Sequence, residues 1–159
     1  LDLNCFLPIS ISIKKNNYEN EVNIDTLKYI LYEAKDDCKK TIIGKQISHM
    51  IIENYFFDNK CYSYLPNNIQ CQSFSLDVKF LCISSKVIKN LEKILEEYQV
   101  SLNHVVSAKY IKKFLNDSEK DIFLMTKKII EGHNPNEVML IDKSSKKQGF
   151  FEKFFNFFN

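Results

Sequence analysis

Residues 71–84 read CQSFSLDVKFLCIS, and this stretch sets the fold class. Apolar side chains alternate with others along it, so that one side of an extended chain carries Phe74, Leu76, Val78, Phe80 and Cys82. Alternation with a period of two indicates a β-strand with one buried face. Directly afterwards, residues 86–98 carry apolar side chains at helical spacing, with Ser84 or Ser85 as the cap. The change of period predicts a strand that leads straight into a helix.

The rest of the chain extends this pattern in both directions. Residues 8–14 alternate isoleucine with serine and predict another half-buried strand. A helix capped by Asn23 or Asp25 is expected to run to about residue 39, with a core stripe of Ile24, Leu27, Ile30, Leu31, Ala34 and Cys38. Residues 46–58 predict one or two strands and 100–107 a final strand, followed by helices near 108–115 and 117–131. This order predicts an α+β fold, a split βαβ sheet with two helices on one face.

Two local expectations concern the middle of the chain. If residues 46–58 form one straight strand, then Ile47, Ile51, Tyr55 and Phe57 share a face. Asp58 and Asn59 are typical of a turn. Residues 60–68, which include Pro66, then read as a loop.

Composition limits the classes of function. The chain has 159 residues and is 45% hydrophobic, which suits one globular domain plus a tail. A net charge of +2 gives little support for a nucleic-acid partner, and three glycines leave little room for phosphate-binding loops. Five cysteines without a CxxC pair argue against disulfides and zinc, and favour small, buried, reduced side chains. We therefore divide the chain into an α+β domain (1–116), a helical extension and linker (117–142) and a tail (143–159).

The tail, KSSKKQGFFEKFFNFFN, carries six phenylalanines within its last ten residues. At about 100° per residue their rings fall within an arc of roughly 160°, with polar residues opposite. A basic lead-in precedes this aromatic face, as in helices that lie in the surface of an anionic membrane. The segment is too short to span a bilayer. The predicted membrane-binding residues are Lys146, Lys147, Phe150, Phe151, Lys153, Phe154, Phe155, Phe157 and Phe158.

Other functions remain open at this point. The terminal helix could pack on its own core in a structural module, or the sheet could stack nucleic-acid bases on its tyrosines and phenylalanines. Catalysis has no supporting constellation, because Ser107 and Cys71 have no evident base partner, and His49 and His104 are typical of satisfied or surface histidines in strands. We predict that the chain is not an enzyme and has no catalytic, cofactor-binding or metal-binding residues. His49 is expected to be a satisfied or surface side chain.

Several segments, taken in order, resemble the bacterial cell-division protein FtsA. The likeness is to its inserted SHS2 subdomain: a helix at 24–39, the residues Ile47-Ser48-His49, and an aromatic stretch ending in Asp58-Asn59 before Pro66. A strand, a helix with Ile88-Lys89-Asn90-Leu91 and residues 100–108 follow. A basic spacer and an amphipathic helix then end the chain, as in members of that family.

This resemblance implies a cell-division role at the cytoplasmic side of the inner membrane. The implied partners are an anionic membrane surface, and division-apparatus proteins or a second copy bound through the SHS2-like domain, with no nucleic acid. The glycine-rich Asp-x-Gly and Gly-Gly-x-Thr elements of an actin-like ATPase are missing. We therefore do not carry over ATP binding, and the resemblance implies a reduced or truncated relative.

Overall fold

The computed structural model describes residues 5–16, 22, 24–66 and 69–138. The side chains of residues 24 and 25 are not described. The tail at 143–159, with all nine predicted membrane-binding residues, lies outside this range.

Four strands form one antiparallel sheet in the order β1-β4-β2-β3, and four α-helices accompany it, which confirms the α+β class. The strands are β1 (Phe6–Asn16), β2 (Lys45–Phe57), β3 (Lys60–Tyr62) and β4 (Ser73–Ser84). The helices are α1 (Ile24–Thr41), α2 (Ser85–Glu96), α3 (Ala108–Ile111) and α4 (Ile122–Ile130), and a 3-10 turn (Lys112–Phe114) extends α3.

Strand β4 lies inside the sheet and buries one face, and its alternating sequence predicts the buried face. It pairs with β1 on one side and with β2 on the other, and its alternate residues from Phe74 to Cys82 are buried. The start of β4 is fixed by Asp58, whose Oδ1 accepts the backbone N–H groups of Gln72 and Ser73, each at 2.9 Å. Asp58 and Asn59 form the predicted turn with φ of 44° and 68°, a left-handed conformation that asparagine and aspartate tolerate.

Helix α1 covers one face of the sheet and supplies the main core. Its predicted stripe is confirmed for five buried side chains, Leu27, Ile30, Leu31, Ala34 and Cys38. These pack against the apolar face of β2 and β4. Full burial of each large apolar side chain stabilises the fold by about 1.5–3 kcal/mol, so this layer carries most of the stability.

The sequence predicts that a second helix, α2, packs on the face of the sheet that α1 covers. The structure does not show this packing. The main core contains no residue of α2, and α2 has no buried residue at all. Ile94 and Tyr98, which the helical spacing placed on a core stripe, are 54% and 74% exposed. The N–H of Ser85 donates to the C=O of Gly44 at 3.0 Å. Ile88 and Glu92 of α2 line a cavity with His49, whose side chain lies on the other face of the sheet.

Strand β2 also departs from expectation. Irregularities between Ile47 and His49, and between Ile52 and Asn54, change which side chains share a face. Ile51 therefore faces away from α1, in a second cluster with Tyr110, Ile111, Met125 and Ile129, whereas Tyr55 and Phe57 join the main core. The supposed loop at 60–68 begins as β3. The expected strand at 100–107 is irregular chain, and the helix expected at 117–131 begins only at Ile122, capped by Asp121.

The last described residues lie beside the sheet. The N–H of Ile52 donates to the C=O of Asn136, and the N–H of Val138 donates to the C=O of Met50, each at 2.8 Å. Residues 136–138 therefore lie beside β2 at the edge of the sheet opposite β1. The chain leaves the described domain from this edge.

Candidate functional site

A buried polar cluster lies on the sheet face away from α1, centred on His49 of β2. The Nδ1 atom of His49 lies 2.6 Å from Oε1 of Glu137, and its Nε2 accepts the backbone N–H of Ser107 at 3.0 Å. Since Nε2 is an acceptor, the proton of the neutral ring is on Nδ1 and is donated to the carboxylate. Both ring nitrogens are thus occupied.

Glu137 is the acceptor that joins the two sides of the cluster. Its other oxygen, Oε2, accepts the hydroxyl of Tyr110 at 2.8 Å, and the Tyr110 oxygen accepts Nδ2–H of Asn134 at 2.7 Å. Burial, reinforced by the Glu137 charge, raises the pKa of Tyr110 well above its ordinary value. The phenol therefore stays protonated and remains a donor to the carboxylate at neutral pH.

The geometry of Ser107 separates this cluster from a nucleophile–base pair. Its backbone N–H meets His49, while its hydroxyl oxygen accepts the N–H of Tyr110 at 3.3 Å and caps α3. A serine nucleophile needs its hydroxyl, not its amide, on the histidine. No buried side-chain N or O atom in the described residues lacks a hydrogen-bond partner. The cluster therefore clamps residues 107–110 and 134–137 onto β2.

Sequence analysis missed this cluster because its members are far apart in the chain. Only His49 and Ser107 were singled out, and Glu137 lies 88 positions from His49. The sequence predicts His49 to be a satisfied or surface side chain, and the structure shows it buried with both ring nitrogens hydrogen-bonded. His104 is exposed, and the ring of His133 only packs near Phe114.

Beside the cluster lies an open cavity of about 560 Å³, which we name the lysine-rimmed groove. Its floor is apolar and consists of Pro8, Ile51 and Leu81. Lys109, Lys112 and Lys113 on α3 and the following turn form one wall, and all three side chains are exposed. An ion pair of Lys79 with Glu53, at 2.7 Å, lies in the lining. An apolar floor beside a basic wall suits a short acidic peptide with an apolar side chain.

The cysteines divide into two groups. Cys38, Cys71 and Cys82 are buried as expected, and burial raises the pKa of the Cys82 thiol to about 12, which makes it unreactive at neutral pH. The expectation of burial is wrong for Cys5 and Cys61, which are exposed. All five are free thiols.

The described part of the chain contains no group of three or more His, Cys, Asp or Glu side chains placed to hold a metal ion. None of the described helices combines the length and apolar character needed to cross a bilayer. No protein-family model and no curated protein matches this chain.

Proposed function

We propose that this chain is a membrane-tethered protein-interaction module, a relative of FtsA that works at the inner face of the cytoplasmic membrane. The observation that carries the proposal is the tail, in which six phenylalanines on one helical face follow a basic spacer. Each buried ring would contribute about 1.5–3 kcal/mol and each nearby lysine about 1 kcal/mol on an anionic surface. The rings then supply most of the affinity, and the lysines supply lipid preference.

The fold supports this proposal in its order of elements. A strand, a helix, an antiparallel set of strands and a second helix follow the order expected for an SHS2-like domain, except that the last expected strand, at 100–107, is irregular chain. The position of α2, away from the main core, departs from that expectation. Residues 136–138, the last described residues, lie beside β2 at the edge of the sheet opposite β1, so a tether joined there would begin away from the outer edge of β1.

The lysine-rimmed groove is the surface best suited to a protein partner. Within the described residues, Lys109 and Lys113 make no ion pair, while the floor beneath them offers Ile51 and Leu81. An acidic, partly apolar segment of a division protein would neutralise the wall and cover the floor. Ser107 and Tyr110 belong to the polar cluster and also line the groove, so the hydrogen bonds of the cluster fix one side of the proposed binding surface.

Vesicle sedimentation tests the tether. The full chain is expected to pellet with vesicles that contain anionic lipid and to bind neutral vesicles more weakly. Phe151→Glu or Phe154→Glu places a charge in the aromatic face and should abolish pelleting, whereas Asn156→Glu on the polar face should reduce it only slightly. Equal pelleting of all variants, or none of the wild type, would contradict the proposal.

Thermal unfolding of the same variants separates the tether from the packed-tail alternative. A tail that serves the membrane contributes nothing to the domain core, so the Tm of Phe151→Glu should equal that of the wild type. A Tm lower by several degrees would instead show that the rings pack on the domain.

A further inference from the structure

The outer edge of β1 is the feature that the proposed function leaves unused. This strand has 11 residues and pairs with β4 on one side, and no described residue pairs with its other side. The side chains of Ser10, Ser12 and Lys14 in this strand are exposed. A long edge of unpaired backbone groups is a template for another strand.

The register shows which backbone groups point outward. The backbone groups of Met50 and Ile52 form hydrogen bonds with residues 136–138, on the side of β2 away from β4. The backbone N–H and C=O of Ile51, between them, therefore point to Lys79 of β4. Groups alternate along a strand, so Phe80 and Val78 point at β1 and bond its odd-numbered residues Ile9 and Ile11. The N–H and C=O groups of the even-numbered residues therefore face away from the sheet. Pro8, which lacks an N–H, is one of these.

We propose that β1 pairs antiparallel with β1 of a second copy, about a two-fold axis at Ile11. Ile11 is the middle residue of the strand, and the pattern Ile9-Ser10-Ile11-Ser12-Ile13 reads the same in both directions. Antiparallel pairing about that centre sets Ser10 of each copy against Ser12 of the other, and each such pair exchanges both backbone hydrogen bonds. This self-complementary sequence makes a second copy the occupant of the edge.

In this register, apolar side chains lie opposite apolar side chains and no like charges are opposed. Isoleucine meets isoleucine across the axis, on the face that α1 covers, where these side chains are only partly buried. Lys14 falls opposite Pro8 of the other copy and Lys15 opposite Leu7, so no two like charges face each other. The stem of Lys15 would cover Leu7, which is 44% exposed in one copy.

The dimer would be one continuous eight-stranded sheet. Residues 136–138 of the two copies would lie at its opposite edges, about 30–35 Å apart at normal strand spacing. One consequence rests on the proposed function: if each copy carries a membrane-binding tail, the dimer presents two tethers. Two linked tethers bind a surface far more tightly than one. Loss of dimerisation should then weaken vesicle binding without any change in the tail.

Disulfide capture tests the register directly. In a Cys5→Ser, Cys61→Ser background, Ile11→Cys places two thiols across the axis, where opposed Cα atoms are about 4.5 Å apart and within disulfide range. The matched control is Ile9→Cys, whose two copies would lie about 13 Å apart along the strands. Under mild oxidation Ile11→Cys should form a covalent dimer and Ile9→Cys should not. Equal crosslinking of both, or of neither, would overturn the proposal.

Sedimentation equilibrium of the full chain provides the second test. Ser10→Pro removes an outward N–H while the bonds to β4 remain, and should weaken dimerisation about 10- to 100-fold. Ser10→Thr keeps the N–H and should dimerise like the wild type. A wild-type chain that stays monomeric up to about 100 μM, or a Ser10→Pro dimer of unchanged affinity, would refute strand pairing.

Vesicle binding by the same pair distinguishes the two proposals. Ser10→Pro should bind anionic vesicles at least about tenfold more weakly than Ser10→Thr. A dimer that fails to bind vesicles would refute the tether alone. Tight binding by a monomeric wild-type chain would refute the dimer alone.

Discussion

The two faces of the sheet are built in different ways. Beneath α1, alternate residues of β2 and β4 meet an apolar helix stripe in one continuous core. On the opposite face a small apolar cluster around Ile111 and Ile129 lies beside the His49–Glu137–Tyr110 cluster, surface ion pairs and the lysine-rimmed groove.

The two kinds of interaction contribute differently to stability and to the positioning of chain segments. Apolar burial beneath α1 is non-directional and fixes little beyond the packing of helix on sheet. Hydrogen bonds on the opposite face are directional, and they hold chain segments from three distant parts of the sequence in one arrangement. The first face therefore supplies most of the stability, and the second contributes less but fixes the positions of the groove and of residues 134–137.

The largest expected effect belongs to the α1 face. Phe80 is fully buried there, so Phe80→Ala should lower the free energy of unfolding by about 3–5 kcal/mol through lost burial and a residual cavity. The matched control, Phe56→Ala, removes a ring that is only partly buried and belongs to neither core cluster, and should cost about 1 kcal/mol or less. Urea unfolding measures both. Similar losses would show that the asymmetry between the faces is wrong.

The next effect tests the polar cluster. Glu137→Ala leaves the buried donors of His49 and Tyr110 without an acceptor and should cost about 2–4 kcal/mol. Glu137→Gln keeps one acceptor oxygen and should cost roughly half as much. Hydrogen exchange should show early loss of protection at Val138 in Glu137→Ala. An unchanged stability would mean that the cluster does not clamp this segment.

A smaller effect, about 1.4 kcal/mol at pH 10, is expected in alkaline solution, where the buried Cys82 thiol of the α1 face matters. Burial raises the pKa of Cys82 from 9.0 to about 12 in the folded state. Its contribution to stability is therefore complete below pH 9 and is lost as the pH rises towards 12, by at most about 1.4 kcal/mol per pH unit. Cys82→Ala should flatten the fall in unfolding free energy over this range. An identical slope in the variant would contradict burial of the thiol.

The smallest effect concerns the exposed ion pair in the groove. Lys79→Met removes the partner of Glu53 but keeps the apolar stem, and should change the free energy of unfolding by less than about 1 kcal/mol. The difference should shrink further at high salt, because exposed charges are screened. A loss as large as that of Glu137→Ala would mean that the groove also contributes to stability.

The regular elements were predictable from sequence because each follows one local period. Strand β4 and helix α1 bury the described side chains that their alternation or helical spacing selected, and β1 half-buries its isoleucines, as predicted. The failures have separate physical causes. The bulges of β2 turned Ile51 to the other face, and β3 is too short at three residues to show a period. Helical spacing in α2 correctly indicates an apolar face, but it cannot show whether another element covers that face, and no residue of α2 is buried.

The polar cluster could not have been predicted, since it depends on tertiary placement. Its histidine, tyrosine and glutamate lie in three segments without a shared motif, and residues 133–137 read as a linker because of Gly132 and Pro135. The nine membrane-binding residues stay predictions, because they lie outside the described structure.

The attachment of residues 136–138 to β2 also has a mechanical consequence. A force applied to the chain beyond Val138 would enter through two backbone hydrogen bonds and the Glu137 clamp, and then spread into β2 and its long partner β4. Strand β1, on the far side of β4, would be the last to bear load. A molecule pulled from its C-terminal end would yield first where the chain departs, with its opposite margin still intact.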